Sequence, residues 1–407
     1  MHVLVIEPVA TGHHMALYLR LVVRAAAELG WKVSVLSTAS AVADPAFQLV
    51  RSDVPDIDVY LMPELRRAAS YGSLTLLWSQ YRCFRQVGRA TAEIRRRCHV
   101  DLAYILDVGY FDKIAAVAGS PFSDLPWCGI MVSAKFHRHR LGLGPRSRSD
   151  SVYEYLFGRL LKIKKLRVLA TIDEVFLAFA HDVGLSLSSK LAYIPDVGQL
   201  KGMESKNQAR RRLGIDVDAF VVLVYGSLSR RKGIDELLTA LSAMDVPSSI
   251  VAHLAGRQDE SVAKILRTPR AEKLMREGRL VLSDHFHDMA MEYGAFVSAD
   301  VVWLGYVGGA FGSSGVLYQA CSMGLPIVAT HEGLIGRIVR THGVGRLVDP
   351  RDSAEVAACL VELASGEAFV QGHSENADRL AKEHTERKFM DAVVGTLVAG
   401  VETLGAA

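Results

Sequence analysis

The chain has 407 residues, of which 50% are hydrophobic and 22% are charged. This composition is typical of a globular protein of two or three domains, and it excludes a disordered, collagen-like or disulfide-scaffold chain. The 47 basic and 44 acidic side chains leave a net charge of +3, which is too small for a protein that coats nucleic acid.

The first predicted elements form a βαβ unit at the N-terminus. The apolar run HVLVIEP predicts a strand buried on both faces, and MALYLRLVVRAAAELG has helical spacing up to Gly30. KVSVLST predicts the next strand, and further strands are expected at Leu102–Leu106 and Cys128–Val132. This alternation of strands and helices predicts a parallel sheet with helices on both faces.

The pattern restarts after a polar, turn-rich stretch that begins near residue 195. FVVLVYG, SIVAHLAG, RLVLSD, ADVVWLGY and LPIVAT predict buried strands, and IDELLTALSAM and VLYQACSMG predict helices. The sequence therefore predicts an α/β fold of two Rossmann-like domains facing across a cleft. We expect these domains at residues 1–200 and 201–385, and a last helix within 386–407 that can pack back on the N-terminal domain. The cleft is the expected ligand site.

The sequence favours a cytoplasmic location. Its five cysteines are scattered and form no C-x-x-C pair, which is typical of free thiols in a reducing compartment. The first residues lack the basic start and the small-residue cleavage site of a signal peptide.

Two glycine-rich turns in the second half are candidate anion sites. In GSLSRRKG, residues 226–233, a strand ends in glycine and three cations precede a helix. In GSSGVL, residues 312–317, a glycine and serine loop leads directly into a helix. Backbone N–H groups at a helix start, supported by cations, suit a diphosphate. Each turn alone is also explained by a solvated or tightly packed turn, but the pair indicates a nucleotide diphosphate ligand.

The order of these segments resembles the donor domain of retaining glycosyltransferases of family 4, which have the GT-B fold. The matching segments are VLVYGSLSRRKGIDELLTAL, HLAGRQDE, SADVVWLGYVGGAFGSSGVLYQACSMGLPIVATHEG and GVGRLVDPRDSAEVAACLVEL. The resemblance covers residues 200–385 well and the first half more weakly. It implies that the second domain binds a nucleotide diphosphate sugar and that the first binds the acceptor. It also implies transfer of a hexosyl unit with retention, in polysaccharide or glycoconjugate biosynthesis.

This chain departs from the family pattern at three positions. Phe311 and Gln319 stand where the family has two glutamates eight positions apart, and Ser227 stands where it has an arginine. Lys232 matches the family's lysine. A subgroup of the family with a GSSGVL loop is more similar to this chain. This similarity implies that backbone N–H groups and serine hydroxyls make part of the ligand contacts that the missing side chains make elsewhere in the family. Gln319 can hydrogen-bond ribose hydroxyls, but without charge.

The two turns and the resemblance together define the expected donor site. Lys232 and Arg231 are expected to neutralise the leaving diphosphate and so to act in catalysis. The expected donor-binding residues are Gly226, Ser227, Arg231, Lys232, Gly256, Gly312, Ser313, Ser314, Gly315, Val316 and Gln319.

Candidate residues in the first half follow predicted strands. Gly12, His13 and His14 lie at the first strand-to-helix turn, which in the family faces the donor phosphates and the acceptor. Asp107 follows the strand LAYIL on the same acceptor or phosphate side. His137, just after GIMVSA, lies near the active-site histidine of many family members and is the third candidate catalytic residue. All of these residues also have structural explanations, as helix caps, exposed imidazoles or strand ends.

A basic patch extends from Lys135 to Arg167, with ten Lys and Arg against two acidic residues. YEYLFGRLLKIKKLRVL is interpreted as a basic amphipathic helix in which Lys162 and Lys165 share a face. Such a helix can lie on an anionic membrane, peripheral to its inner face, and serve a lipid-linked acceptor. A solvated helix face beside a soluble glycan acceptor is the alternative. No nucleic acid is expected, because no recognition module is visible.

No bound metal and no cofactor are expected. Asp56 and Asp58 form a D-x-D, but PDIDVYLMP predicts a strand edge without a carboxylate cluster. Two other functions suit the same fold. A non-catalytic sugar-nucleotide binder or partner subunit is suggested by the missing glutamates, whereas a sugar-nucleotide 2-epimerase would need acidic residues near the sugar.

Overall fold

The computed structural model of the chain describes residues 1–8, 14–65, 73–132, 134–182, 184, 188–308, 312 and 314–402. The chain divides into two compact units. Unit 1 consists of Met1–His137, Arg146–Pro195 and Glu386–Ala407, and unit 2 consists of Arg138–Pro145 and Asp196–Thr385. The chain thus passes from one unit to the other at residues 195–196 and 385–386, and one short segment of the first half belongs to unit 2.

Unit 1 is built on a seven-stranded parallel sheet with the order β3-β2-β1-β4-β5-β6-β7. Its strands are β1 (His2–Glu7), β2 (Lys32–Thr38), β3 (Asp58–Met62), β4 (Leu102–Ile105), β5 (Trp127–Met131), β6 (Leu166–Thr171) and β7 (Leu191–Tyr193). A π-helical segment, His14–Leu19, precedes the first of its α-helices. These are α1 (Arg20–Glu28), α2 (Ala39–Val42), α3 (Ala46–Asp53), α4 (Ser73–Arg97), α5 (Asp112–Ala118), α6 (Asp150–Leu161) and α7 (Glu174–Asp182).

The middle of this sheet is apolar because β1 pairs on both sides. Val5 lies opposite Val35 of β2 and opposite Tyr104 of β4. All six residues of β1 are buried, as expected where helices cover both faces of a parallel sheet. The predicted strand over HVLVIEP is therefore confirmed.

Unit 2 is built on a six-stranded parallel sheet with the order β10-β9-β8-β11-β12-β13. Its strands are β8 (Phe220–Tyr225), β9 (Ile250–Ala255), β10 (Leu280–Ser283), β11 (Val301–Leu304), β12 (Ile327–Thr330) and β13 (Gly345–Val348). Its α-helices are α8 (Lys206–Leu213), α9 (Ile234–Leu241), α10 (Glu260–Leu266), α11 (Pro269–Arg276), α12 (Met289–Val297), α13 (Gly315–Ser322), α14 (Gly333–His342), α15 (Ser353–Ser365) and α16 (Glu367–Glu383). The strand order is that of a doubly wound nucleotide-binding sheet.

The last helix, α17 (Glu386–Glu402), packs on unit 1. The Phe389 ring stacks on Tyr18 with centroids 5.5 Å apart and an interplanar angle of 8°. Near the other end of the helix, the Cys128 thiol donates to the carbonyl oxygen of Thr396 at 3.5 Å. The helix therefore covers the side of unit 1 that carries β5.

The predicted basic amphipathic helix is confirmed as a helix up to Leu161 and is wrong beyond that residue. Helix α6 ends at Leu161, and the chain turns into β6 five positions later. Lys190 Nζ holds the turn by donating to the carbonyl oxygens of Leu161 at 2.9 Å and Ile163 at 3.0 Å. Pairing of β6 between β5 and β7 prevails over the helical pattern of LLKIKKL, because tertiary pairing of a buried strand overrides local helical propensity.

The basic patch is consequently not one helix face. Lys162, Lys164 and Lys165 lie in the turn, and Arg167 lies in β6. The segment Arg138–Pro145 belongs to unit 2, whereas the rest of the patch belongs to unit 1.

All five cysteines are free thiols, and four of them are buried. Burial raises the pKa of the Cys128 thiol to about 12, so it stays protonated and unreactive at neutral pH. Over the ranges that the structure describes, no helix combines the length and the hydropathy needed to cross a membrane.

Two glycines of α17 predict opposite effects of the same substitution. A Cβ on Gly400 would lie 2.8 Å from Cys128 Sγ and 3.1 Å from Leu102 Cδ1, whereas a Cβ on Gly395 meets nothing within 4 Å. We expect Gly395→Ala to raise the free energy of unfolding by up to about 1 kcal/mol, because alanine favours the helix. Gly400→Ala is expected to lower it by about 1–3 kcal/mol through overpacking. Thermal and urea unfolding of the two variants test this, and stabilisation by both would contradict the packing of α17 on unit 1.

Candidate functional site

The strand order creates a switch point in the sheet of unit 2. The chain winds outward from β8 through β9 in one direction, and from β11 through β12 in the other. Ligands of open parallel sheets bind outside the carboxyl ends of the strands at such a point. β8 leads into Gly226, and β11 leads into the loop before α13. The two predicted anion-binding turns therefore flank the same switch point.

Glycine is required both in the first turn and in the neighbouring turn after β9. Gly226 has φ +99° and Gly256, after β9, has φ +128°, which L side chains rarely adopt. A Cβ on Gly256 would lie 2.1 Å from the carbonyl oxygen of Gly226. The two strand ends can therefore approach closely only without a side chain at residue 256. Ser227 is exposed in this turn.

Lys232 lies buried beneath the first turn, with 3% of its surface exposed. Its ammonium donates to the carbonyl oxygen of Tyr225 at 2.6 Å and to Tyr306 Oη at 3.1 Å. Its own carbonyl oxygen accepts the Trp303 indole N–H at 3.0 Å. An ammonium has three donors. Its two hydrogen bonds to described residues leave one N–H group that can bind a further hydrogen-bond acceptor.

Tyr306 connects Lys232 to the second turn. Its hydroxyl lies 3.1 Å from Ser314 Oγ, and the Arg231 guanidinium lies 5.0 Å from its ring centroid. Burial alone would raise the pKa of Tyr306, but the Lys232 ammonium, the Ser314 hydroxyl and Arg231 together hold it below its usual value. Lys232, Tyr306 and Ser314 thus form a polar chain across the switch point, which we call the switch-point chain.

The second turn presents a helix start. Ser314 is the N-cap residue of α13 and makes no side-chain cap bond, because its hydroxyl lies against Tyr306. Gly315 and Val316 form the first positions of the helix. The positive end of the helix dipole lies here, where an anion is stabilised. The predicted contact Ser313 and the signature position Phe311 fall outside the described residues.

Arg138 adds a cation beside the second turn. It belongs to the segment of the first half that is part of unit 2. Its guanidinium lies 3.5 Å from the position of a Cβ on Gly312. In the sequence, Arg138 is recognisable only as part of the basic patch, because nothing in the order of the chain brings it next to residue 312.

Glu292 supplies a carboxylate that is not among the predicted site residues. The Gln319 amide, 4% exposed, donates to Glu292 Oε1 at 2.7 Å. Burial and the Glu292 carboxylate raise the pKa of Tyr225 well above its usual value. Glu292 on α12 and Gln319 on α13 are 27 positions apart in the sequence, so no local motif indicates that they form a pair. A negative charge therefore stands beside the position where the family pattern has its second glutamate.

In unit 1, β1 and β4 flank the corresponding switch point. Asp107 lies two residues past the carboxyl end of β4, and its carboxylate accepts the N–H of Gly109 at 2.8 Å. Gly12 and His13 lie outside the described residues, and His14 opens the π-helical segment. Only Asp107 of the acceptor-side candidates thus has a described side chain.

His137 is packed inside unit 1, with 1% of its surface exposed. Its ring lies against Phe176 and Phe179, with centroids 4.8 Å and 5.5 Å away. Its Nε2 is 3.5 Å from Asp173 Oδ2, and Asp173 also accepts the N–H of Phe176 at 3.0 Å. These contacts explain His137 as part of an aromatic cluster. Its catalytic role remains a prediction.

The D-x-D lies at the amino end of a strand. Asp58 opens the edge strand β3 and pairs with Lys32 at 2.9 Å. Ligands of parallel sheets bind at the opposite, carboxyl ends. Across the described part of the chain, no group of three or more His, Cys, Asp or Glu side chains could hold a metal ion.

Part of this chain is similar to known glycosyltransferase sequences. Residues 219–366, within unit 2, match a family model described as Glycosyl transferases group 1. A D-inositol 3-phosphate glycosyltransferase of Geodermatophilus obscurus is 31% identical over 215 residues, which are 50% of this chain and 45% of that protein. The chain spans less than half the length of the curated relatives that it matches.

Solved structures match the fold along the whole chain. Sucrose-phosphate synthase from Thermosynechococcus elongatus has a TM-score of 0.69 at 17% identity and covers 100% of this chain and 99% of its own. HepE of Anabaena, solved in complex with UDP-glucose, has a TM-score of 0.65 at 18% identity and covers 100% of both chains. Likeness at these identities shows the fold alone. With the two parallel sheets, it confirms the predicted α/β fold of two Rossmann-like domains, which is the GT-B fold.

Proposed function

We propose that this protein transfers a glycosyl unit from a nucleotide diphosphate sugar to an acceptor hydroxyl. The observation that carries the proposal is the switch-point chain. In it, the buried ammonium of Lys232 has an N–H group left to bind a ligand beside the two glycine turns. The match of residues 219–366 to group 1 glycosyl transferases supports it. So does the UDP-glucose held by a protein of the same fold.

The diphosphate of the donor is proposed to lie between the two turns. Lys232, Arg231 and Arg138 are the cations around this position. Charge builds up on the diphosphate as it leaves, so fixed cations lower the energy of the transition state more than that of the bound donor. The start of α13 at Ser314 adds N–H groups and the helix dipole.

The ribose of the donor is proposed to meet Gln319 and Glu292. Their 2.7 Å hydrogen bond fixes the Gln319 amide nitrogen toward the carboxylate and leaves the amide oxygen to accept a hydroxyl. Glu292 is only half-buried, so its carboxylate is available to a second hydroxyl. Charge-assisted hydrogen bonds of this type are stronger than neutral ones.

The reaction is proposed to proceed with retention of anomeric configuration. The bond between the anomeric carbon and the phosphate oxygen breaks, and the acceptor oxygen bonds to the same face of that carbon. The acceptor proton passes to the departing phosphate oxygen, so no side chain is required as a base. The reacting charge is neutralised by cations rather than by a metal ion.

The acceptor is proposed to be an alcohol of a polyol, a glycan or a lipid-linked glycan. One matched relative is named for D-inositol 3-phosphate, a polyol phosphate. The switch point of unit 1, with Asp107 at the end of β4, is the proposed acceptor side, together with Gly12, His13 and His14. We place the reaction in polysaccharide or glycoconjugate biosynthesis and in the cytoplasm.

A non-catalytic sugar-nucleotide binder is the second candidate. Gln319 stands where the family pattern has a glutamate, and its amide nitrogen is already bound to Glu292. A binder would hold the donor without releasing nucleotide diphosphate. Turnover separates the two candidates.

The proposed function is tested first by donor binding and then by turnover. We expect UDP-glucose or GDP-mannose, at about 100 times its dissociation constant, to stabilise the protein by about 2.7 kcal/mol in a thermal-shift panel. Adding myo-inositol phosphate or a glycan acceptor should release labelled nucleotide diphosphate in the presence of EDTA. Binding without release would favour the binder, and complete loss of activity in EDTA would overturn the metal-independent mechanism.

Replacement of Lys232 tests the position of the diphosphate. Lys232→Ala removes one charge-assisted hydrogen bond, worth about 1.5–3 kcal/mol, so donor affinity should fall roughly ten- to a hundredfold. Arg230→Ala is the matched control from the same turn, because Arg230 is exposed and paired with Asp235 and Glu236 at 3.2 and 3.3 Å. Calorimetric titration with UDP measures both variants. Equal affinities for the two variants would contradict this position.

Replacement of Glu292 tests the ribose contact. Glu292→Gln keeps the shape of the side chain but removes its charge, so UDP affinity should fall roughly tenfold. Affinity for 2′,3′-dideoxy-UDP should change little, because that ligand lacks the hydroxyls. A loss of the same size for both nucleotides would mean that Glu292 acts only on the structure of the pocket.

A further inference from the structure

Helix α4 leaves an apolar stripe uncovered at its N-terminal end. Leu74, Leu77, Trp78 and Tyr81 are 81%, 39%, 61% and 40% exposed, respectively. Their spacing of three and four residues puts all four on one face of the helix. The opposite face packs into unit 1 through buried residues such as Cys83, Val87 and Ile94. The stripe is therefore a continuous apolar surface and not a set of scattered exposed residues.

The same face becomes cationic toward the C-terminal end of α4. Arg82, Arg85, Arg89 and Arg96 are exposed, and at 100° per residue they lie within the same arc of roughly 140° as the apolar stripe. The whole helix carries six arginines and a single glutamate, Glu93. This face of α4 is thus apolar in its N-terminal part and carries guanidinium groups in its C-terminal part.

We propose that this face of α4 docks on an anionic lipid bilayer. Leu74 and Trp78 would enter the region between headgroups and acyl chains, where aromatic rings are favoured. The arginine row would lie along the lipid phosphates, with its methylene stems against the apolar boundary. The proposal rests on the surface of unit 1 alone and does not depend on the proposed transfer reaction.

Charge favours a membrane over a second copy of the chain. A second copy would bring the same arginines and only Glu93 to oppose them, so like charges would face one another across the contact. An anionic bilayer offers phosphates at high density and an apolar layer beneath them. Each arginine near such a surface strengthens binding about fivefold.

Vesicle flotation and tryptophan fluorescence test this proposal. We expect the protein to float with vesicles of equal parts phosphatidylcholine and phosphatidylglycerol, to bind pure phosphatidylcholine weakly, and to detach as salt rises. The emission of Trp78 should shift to the blue on binding. Trp127 and Trp303 are buried and Trp31 is half-buried, so Trp78→Phe should remove most of the shift while binding persists.

Variants identify the surface that binds. Leu74→Ser combined with Trp78→Ser should abolish flotation, and changing Arg85, Arg89 and Arg96 to Gln should weaken it about 100-fold. The matched control changes Lys162, Lys164 and Lys165 to Gln, three cations of the turn before β6, and should bind within twofold of wild type. Circular dichroism and melting temperature verify that each variant is folded.

Three results would overturn the proposal. The first is wild-type protein that stays unbound at low salt. The second is a control variant that loses as much binding as the arginine variant. The third is a wild-type dimer in sedimentation velocity that the Leu74→Ser, Trp78→Ser variant dissociates, since it would assign the stripe to a second copy.

Discussion

The candidate site depends on one buried ammonium group. Lys232 is removed from water and compensated by a carbonyl oxygen and a phenol, and burial of a charge is tolerated only with such partners. Its contacts reach both sides of the switch point of unit 2, since Tyr225 ends β8 and Tyr306 follows β11. The two glycine turns are thus positioned by the same group that the proposed mechanism uses.

The environment of Lys232 also accounts for its neighbours. Tyr306 is buried, yet the adjacent cations lower its pKa, so its hydroxyl is a good donor toward an anion. Glycine at residue 256 lets two strand ends come close where a Cβ would collide with the backbone, and glycine at residue 226 adopts a positive φ. These features place fixed polar groups at the carboxyl ends of three strands, which is the type of surface that electrostatic catalysis requires.

The sequence predicts the sheets and turns but not the contacts between distant segments. The runs FVVLVYG and HVLVIEP predict their strands because long apolar runs between turn residues are strong local signals. Lys232 can be predicted as a site residue because its turn has a recognisable order of residue types. Arg138 and Glu292 could not be found in this way, since they reach Gly312 and Gln319 only through the fold. The helical pattern before Arg167 failed because pairing of β6 in the sheet decides that segment.

The return of α17 to unit 1 affects the order in which the chain can fold during synthesis. The side of unit 1 around β5 is completed by residues 386–402, which leave the ribosome after all the strands have been made. Residues 196–385, together with the earlier segment 138–145, form unit 2, so every part of that unit is available before α17 emerges. Domains generally fold as units during synthesis. Unit 1 therefore starts before unit 2 in the chain but is completed after it, and its side around β5 stays uncovered until α17 has been translated.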